Sequence, residues 1–107
     1  MDKPSDKNCG IAQALEIIGG KWTLLVLRDL MTGPKRFSEL ERSLVGISTR
    51  TLAQRLDELA VDDIVVRDCS GGPAHPLYRL TDKGLSLNGI IERLRIWGED
   101  LALKQRA

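Results

Sequence analysis

Lys35-Arg36-Phe37-Ser38-Glu39-Leu40 and Gly46-Ile47-Ser48-Thr49-Arg50-Thr51-Leu52 are the two segments whose succession decides the fold. The first starts a helix in which Phe37, Leu40 and Leu44 fall at i, i+3 and i+7, on one face of a 3.6-residue period. Val45-Gly46-Ile47 forms a turn. Ser48 or Thr49 then caps a second helix, accepting a bond from one of its free N–H groups. Leu52, Leu56 and Leu59 give that helix a narrow apolar stripe, while Arg50, Gln54 and Asp57 lie about half a turn away, toward solvent or a partner. Strands are predicted over 64–69, where Ile64-Val65-Val66 is β-branched, and over 77–81, where Tyr78-Arg79-Leu80 alternates. Ser70-Gly71-Gly72-Pro73 supplies the turn between them.

Helix, turn, helix and hairpin in that order outline a winged helix-turn-helix, with the wing at about 64–81. Working outward, Ile11, Leu15 and Ile18 predict a short first helix, interrupted by Gly19-Gly20. The stretch from Trp22 to Met31 is apolar nearly all round and predicts a buried central helix, which Thr32-Gly33-Pro34 ends. On the other side Thr81-Asp82-Lys83-Gly84 opens one last helix, capped by Thr81 and striped by Leu85, Leu87, Ile90, Ile91, Leu94, Trp97 and Leu101. The expected fold is mainly α with a small β-hairpin wing. Residues 1–8 read as a flexible polar tail and 9–104 as a single domain.

The 107 residues suffice for one modest core, and 42% apolar with 29% charged residues suits a globular chain. Formal net charge is only +1, so a DNA-binding surface requires basic and acidic residues on different faces. The near-zero charge favours the alternative, a winged-helix protein-interaction module without sequence-specific DNA binding. No apolar run approaches the roughly 20 residues that cross a bilayer, and no signal-peptide core follows Met1, so a cytoplasmic location is expected. Cys9 and Cys69 form no CxxC pair and are expected to be thiols. His75 is the only histidine, which argues against a zinc site. Neither cysteine has an evident His–acid partner and there is no phosphate-cradling Gly-rich loop, so no enzymatic activity and no cofactor are expected.

The helix over 48–60 has the properties of one that enters a major groove. Its apolar stripe docks on the core, and Ser48, Thr49, Arg50, Thr51 and Gln54 form a polar leading face. Arg can bond bidentately to guanine and Gln to adenine, while hydroxyls suit phosphate oxygens. Arg55 extends toward the backbone. Lys35 and Arg36, at the start of the preceding helix, are candidate phosphate clamps with Ser38 a further DNA contact beside them, and Arg67, His75 and Arg79, in the wing, are candidate contacts to a neighbouring minor groove or phosphate. Each cation taken singly reads as an ordinary surface charge; the succession of elements carries the DNA reading. The wide apolar stripes of the first and last helices exceed what a chain this short covers alone, so self-association is expected. Two-fold symmetry then predicts a palindromic operator. Trp22 and Trp97 read as core residues, with packing across a dimer as the other reading for Trp97.

The same segments resemble the HxlR-type winged helix-turn-helix regulators, bacterial proteins that bind operators as homodimers. The resemblance covers about residues 9–97. It is carried by Gly20-Lys21-Trp22-Thr23-Leu24-Leu25, by Arg36-Phe37-Ser38-Glu39-Leu40, by Ile47-Ser48-Thr49-Arg50-Thr51-Leu52 with Arg55-Leu56, and by Pro76-Leu77-Tyr78-Arg79-Leu80-Thr81 with Gly84 and Trp97. Cys9-Gly10 stands where Cys-Pro is usual, and Asp63 where a Gly usually precedes the first wing strand. The resemblance implies that Cys9 is a candidate redox-sensing thiol, as some members sense quinones, aldehydes or oxidants. A small-molecule or oxidant effector is therefore a further expected partner.

Overall fold

A computed structural model describes residues 9–106, for Arg106 the backbone only; the tail expected over 1–8 lies outside them. The chain runs α1 (Gly10–Ile18), α2 (Lys21–Leu30), β1 (Lys35–Arg36), α3 (Phe37–Ser43), α4 (Thr49–Val61), β2 (Val65–Asp68), β3 (Leu77–Leu80), α5 (Asp82–Leu85) and α6 (Asn88–Arg106). The three strands form an antiparallel sheet in the order β1-β3-β2. Lys35 is opposite Tyr78 and Arg36 opposite Leu77, while Val65 is opposite Leu80 and Asp68 opposite Leu77.

The core sits where α2, α3, α4 and the sheet meet. Val26, Leu27, Leu40, Leu52, Leu56 and Leu59 are the largest side chains buried almost completely. Leu52, Leu56 and Leu59 are the apolar stripe of α4, so the helix has one rotational setting: stripe inward, Arg50, Gln54 and Asp57 outward. Truncating one of these leucines to Ala costs about 2–5 kcal/mol, from lost transfer energy and the remaining cavity. Tyr78 extends the core into the sheet, its ring centroid 6.4 Å from that of Phe37.

Three expectations are corrected. Lys35 and Arg36 do not begin a helix; they extend as β1 and pair with β3, and the helix starts at Phe37. Antiparallel pairing with Tyr78 and Leu77 of β3 holds the two residues extended. The stretch after Thr81 is not one helix but two. Thr81 caps α5, accepting from the Gly84 amide at 3.0 Å, but the Leu87 amide bonds only three residues back, to Gly84. Ser86 Oγ donates to the Lys83 carbonyl and loosens the same turn. Trp97 is not core: it is 67% exposed on α6, whereas Trp22 is half-buried against the core.

α1 and α2 are bent 77° apart at Gly19-Gly20. No single helix among the described residues is long and apolar enough to cross a membrane.

Candidate nucleic-acid interface

The leading end of α4 is built by its cap. Ser48 Oγ accepts from the Thr51 amide at 3.0 Å and donates to Thr51 Oγ1 at 2.9 Å. Thr49 Oγ1 donates to Glu41 Oε2 of α3. Of the hydroxyls that the sequence assigns to DNA, Ser48 and Thr51 thus close the helix start on itself and Thr49 ties it to α3. Arg50 and Gln54, four residues apart on the outer face, are exposed, and neither has a hydrogen-bond or ion-pair partner among the described residues. A guanidinium and a carboxamide with all their bonding capacity open make up this surface.

The flanking groups are more committed. Lys35 Nζ donates to Thr32 Oγ1 at 2.8 Å and to the Gly33 carbonyl at 3.3 Å. Arg36 Nη1 donates to the His75 carbonyl in the wing, and the Arg36 amide donates to Glu39 Oε1 at 2.8 Å. Ser38 is exposed beside them. Arg55 pairs with Glu58. In the wing, Arg67 donates to Tyr78 OH at 3.3 Å and to Cys69 Sγ at 3.5 Å, and Arg79 lies 3.7 Å from Asp68. The Tyr78 hydroxyl bond and the nearby Cys69 raise the Arg67 pKa further. The Ser70 amide, the Ser70 hydroxyl and Arg79 hold the Asp68 carboxyl below its ordinary range despite partial burial. The His75 side chain is exposed at the wing tip.

Charge is segregated along the chain, as a DNA surface on a near-neutral molecule requires. Residues 35–55 carry five Lys and Arg against two carboxylates; residues 57–83 carry three against six. The basic half contains α3 and the first two turns of α4, and the end of α4 and the wing lie in the acidic half. Arg42, on α3, is a further exposed cation of this basic half that the motif reading passed over; its signal was this local imbalance.

Away from this surface, Cys9 stands at the N-cap of α1, half-buried. The Ala12 amide, then the Ile11 amide, lower its thiol pKa, with slight opposition from burial, although neither makes a well-formed cap bond. Ile11 is 72% exposed and Leu15 is also exposed on α1; Ile90, Leu94, Trp97 and Leu101 are exposed on α6. Their spacing of four, three and four residues is that of a helix-pairing seam. Among the described residues no cluster of His, Cys, Asp and Glu could hold a metal ion.

Comparison with known proteins identifies the family. The HxlR-like helix-turn-helix model matches residues 17–106. The chain belongs to the HxlR family of helix-turn-helix transcriptional regulators. The regulator YodB of Bacillus subtilis is 36% identical over 87 residues, spanning 80% of this chain and 78% of YodB. The uncharacterized regulator YkvN of the same organism is 42% identical over 92 residues, spanning 85% and 78%. Among solved structures, the redox regulator HypR in its reduced form superposes with a TM-score of 0.80 at 33% identity, over 86% of this chain and 92% of HypR. Quinone-bound YodB from B. subtilis gives 0.72 at 33% identity, over 84% and 96%. These HxlR-family relatives are transcriptional regulators, not enzymes, and they share the mainly helical fold with a small antiparallel wing.

Proposed function

We propose that this HxlR-family regulator binds a palindromic DNA operator as a homodimer, through one domain over residues 9–104. Arg50 and Gln54 read base edges in the major groove, and Ser48, Thr49 and Thr51 set the helix start from which they project. Lys35, Ser38 and Arg55, with Arg67, His75 and Arg79 in the wing, meet phosphates. The observation that carries this reading is the exposed Arg50–Gln54 pair, unpartnered among the described residues, on a helix whose opposite stripe is fully buried. These are the side chains suited to bidentate recognition of guanine and adenine. The exposed apolar residues of α1 and α6 make the dimer, which places the two α4 helices about one DNA turn, ~34 Å, apart.

Cys9 is the point where a signal enters. Its lowered pKa supports that role, as do the redox and quinone ligand states in which HypR and YodB are described. The effector is an oxidant or an electrophile that adds to the thiolate.

Selection from random duplex DNA at two salt concentrations tests the reading. The expected result is an enriched inverted repeat whose affinity falls steeply as salt rises. A pool in which no sequence is enriched would refute it and leave the protein-interaction module.

A further inference from the structure

The wing tip, residues 69–76, is held loosely by its own bonds. The Gly72 amide donates to the Cys69 carbonyl at 2.9 Å and the His75 amide to the Gly72 carbonyl at 3.2 Å. Gly72, at φ 116°, makes the turn in a conformation that side chains disfavour. The side chains of Pro73, Ala74 and His75 are exposed, and the half-buried residues Cys69 and Pro76 lie at the two ends of the tip, next to the strands. The side-chain bonds of Arg67 to Cys69 and of Ser70 to Asp68 stay inside the hairpin.

One bond leaves it. Arg36 Nη1, from the strand that leads into the helix-turn-helix, donates to the His75 carbonyl, thirty-nine residues on in the chain. It closes one side of an open cavity of about 220 Å³ between Arg36, Phe37 and Ser38 and Ala74, His75 and Pro76. The base of the hairpin is fixed by strand pairing that ends at Arg36 and Leu77, so beyond Leu77 the Arg36 bond sets the angle of the tip. A charged donor on a carbonyl is stronger than a neutral pair, and here one end lies on rigid backbone.

We infer that Arg36 is a positioning residue: its guanidinium ties the wing tip to the helix-turn-helix, so that wing and α4 meet DNA as one rigid surface. This rests on the DNA-binding reading above. It differs from a phosphate clamp in a measurable way. A clamp needs only positive charge, which Lys supplies; the tether needs the reach and planar fork of a guanidinium.

The experiment uses full-length protein, wild type against Arg36→Lys and Arg36→Ala. Both variants keep the β1 backbone pairing and the Arg36 amide bond to Glu39, and circular dichroism confirms their folding. Amide exchange of Gly72 and His75 is read without DNA and should speed up about ten-fold in both variants, the loss of one charge-assisted bond. Affinity for the selected operator should fall in both, with the slope of log affinity against log salt unchanged. Unchanged exchange at Gly72 and His75 in both variants would overturn the tether. So would an Arg36→Lys variant that binds like wild type while Arg36→Ala loses about one unit of salt slope, the signature of one released phosphate contact. If the wild type binds no DNA, the exchange measurement still decides the tether, and the failure belongs to the DNA reading alone.

Discussion

The Ile64 amide donates to the Leu59 carbonyl at 2.9 Å, and this bond joins the last turn of α4 to the start of the wing. The Asp63 amide adds a bond to Ala60 at 3.1 Å, and Asp63 lies between the two at φ 60°. The double closure is a helix-ending motif that needs one left-handed residue, a position Gly fills without penalty. It turns the chain so that Ile64 and Val65 are both buried. The Asp that replaces the expected Gly therefore leaves the turn closed and places its cost in the backbone, about 1–2 kcal/mol for a non-glycine residue.

Asp63→Gly is accordingly expected to stabilise the protein. Relief of the backbone outweighs the greater freedom of Gly in the unfolded chain, for a net gain of about 0.5–1 kcal/mol. In a domain this size that raises the thermal midpoint by roughly 2–8 °C. Asp63→Val should lower it. A midpoint for Asp63→Gly at or below wild type would show that the Asp side chain supplies stabilisation that the backbone geometry does not reveal.

Gly84 is required for a different reason. It is buried, and a Cβ there would collide with the Ile64 carbonyl oxygen and stand 3.0 Å from Leu80 Cδ2. The carbonyl is fixed backbone, already accepting the Thr81 amide at 3.0 Å. Gly84→Ala should cost about 1–3 kcal/mol through overpacking, measured by urea unfolding. Gly89→Ala, where an added Cβ meets nothing, is the control and should be neutral or stabilising.

Much of this fold was legible because periodicity and turn chemistry agreed. The stripe Leu52, Leu56, Leu59 fixed both the existence of α4 and its outward face, and Ser48 and Thr81 cap where their residue types suggest. What was not legible depended on distant partners. Nothing local makes Lys35 and Arg36 a strand; they extend because β3, more than forty residues on, offers a free edge. Nor does sequence reveal that Thr49 is engaged by Glu41, or Arg36 by His75, since those bonds exist only once α3 and the wing are placed. Of the candidate contacts, Ser48, Thr49 and Thr51 already bond within the protein, and Arg50 and Gln54 are the least committed.

Specificity should follow those two side chains. Arg50→Ala is expected to cost about 1–3 kcal/mol on the selected operator and to relax preference at one base, and Gln54→Ala to do so at a neighbouring base. Lys35→Ala should weaken all sequences about equally. Binding to a panel of single-base operator variants separates the cases. Equal losses by Arg50→Ala on every variant would reassign Arg50 to the phosphate backbone.

Cys9 should react at a lower pH than an unstructured thiol. Thiolate is the nucleophile, and a pKa lowered by the Ala12 and Ile11 amides means that the thiolate forms earlier as pH rises. The rate of Cys9 alkylation against pH, followed by mass spectrometry, should reach half its maximum below about 8.5, the ordinary free-thiol value. A midpoint at or above that value would remove the chemical basis for sensing at Cys9. Operator affinity of wild type and Cys9→Ser, each with and without a quinone, then decides whether the modification matters; four equal values would end the sensing role.

Trp97 offers the sharpest test of the proposed dimer. At 67% exposure in a single chain it is the largest apolar side chain on the α6 face, between Leu94 at 49% and Leu101 at 40%. A monomer would leave this seam in water, at about 25 cal/mol per Å² of apolar surface that pairing would remove. Trp97→Glu places a charge in the middle of the seam and should shift the protein to monomer in sedimentation at micromolar concentration, with the core intact because Trp97 takes no part in it. The wild-type emission should be blue-shifted at high concentration and move red on dilution as Trp97 is exposed, a change that a Trp97→Phe variant, which keeps only Trp22, should not show. A wild type that sediments as a monomer would overturn the proposed dimer, and a Trp97→Glu variant that remains a dimer would move the interface off α6 and with it the spacing expected between the two recognition helices.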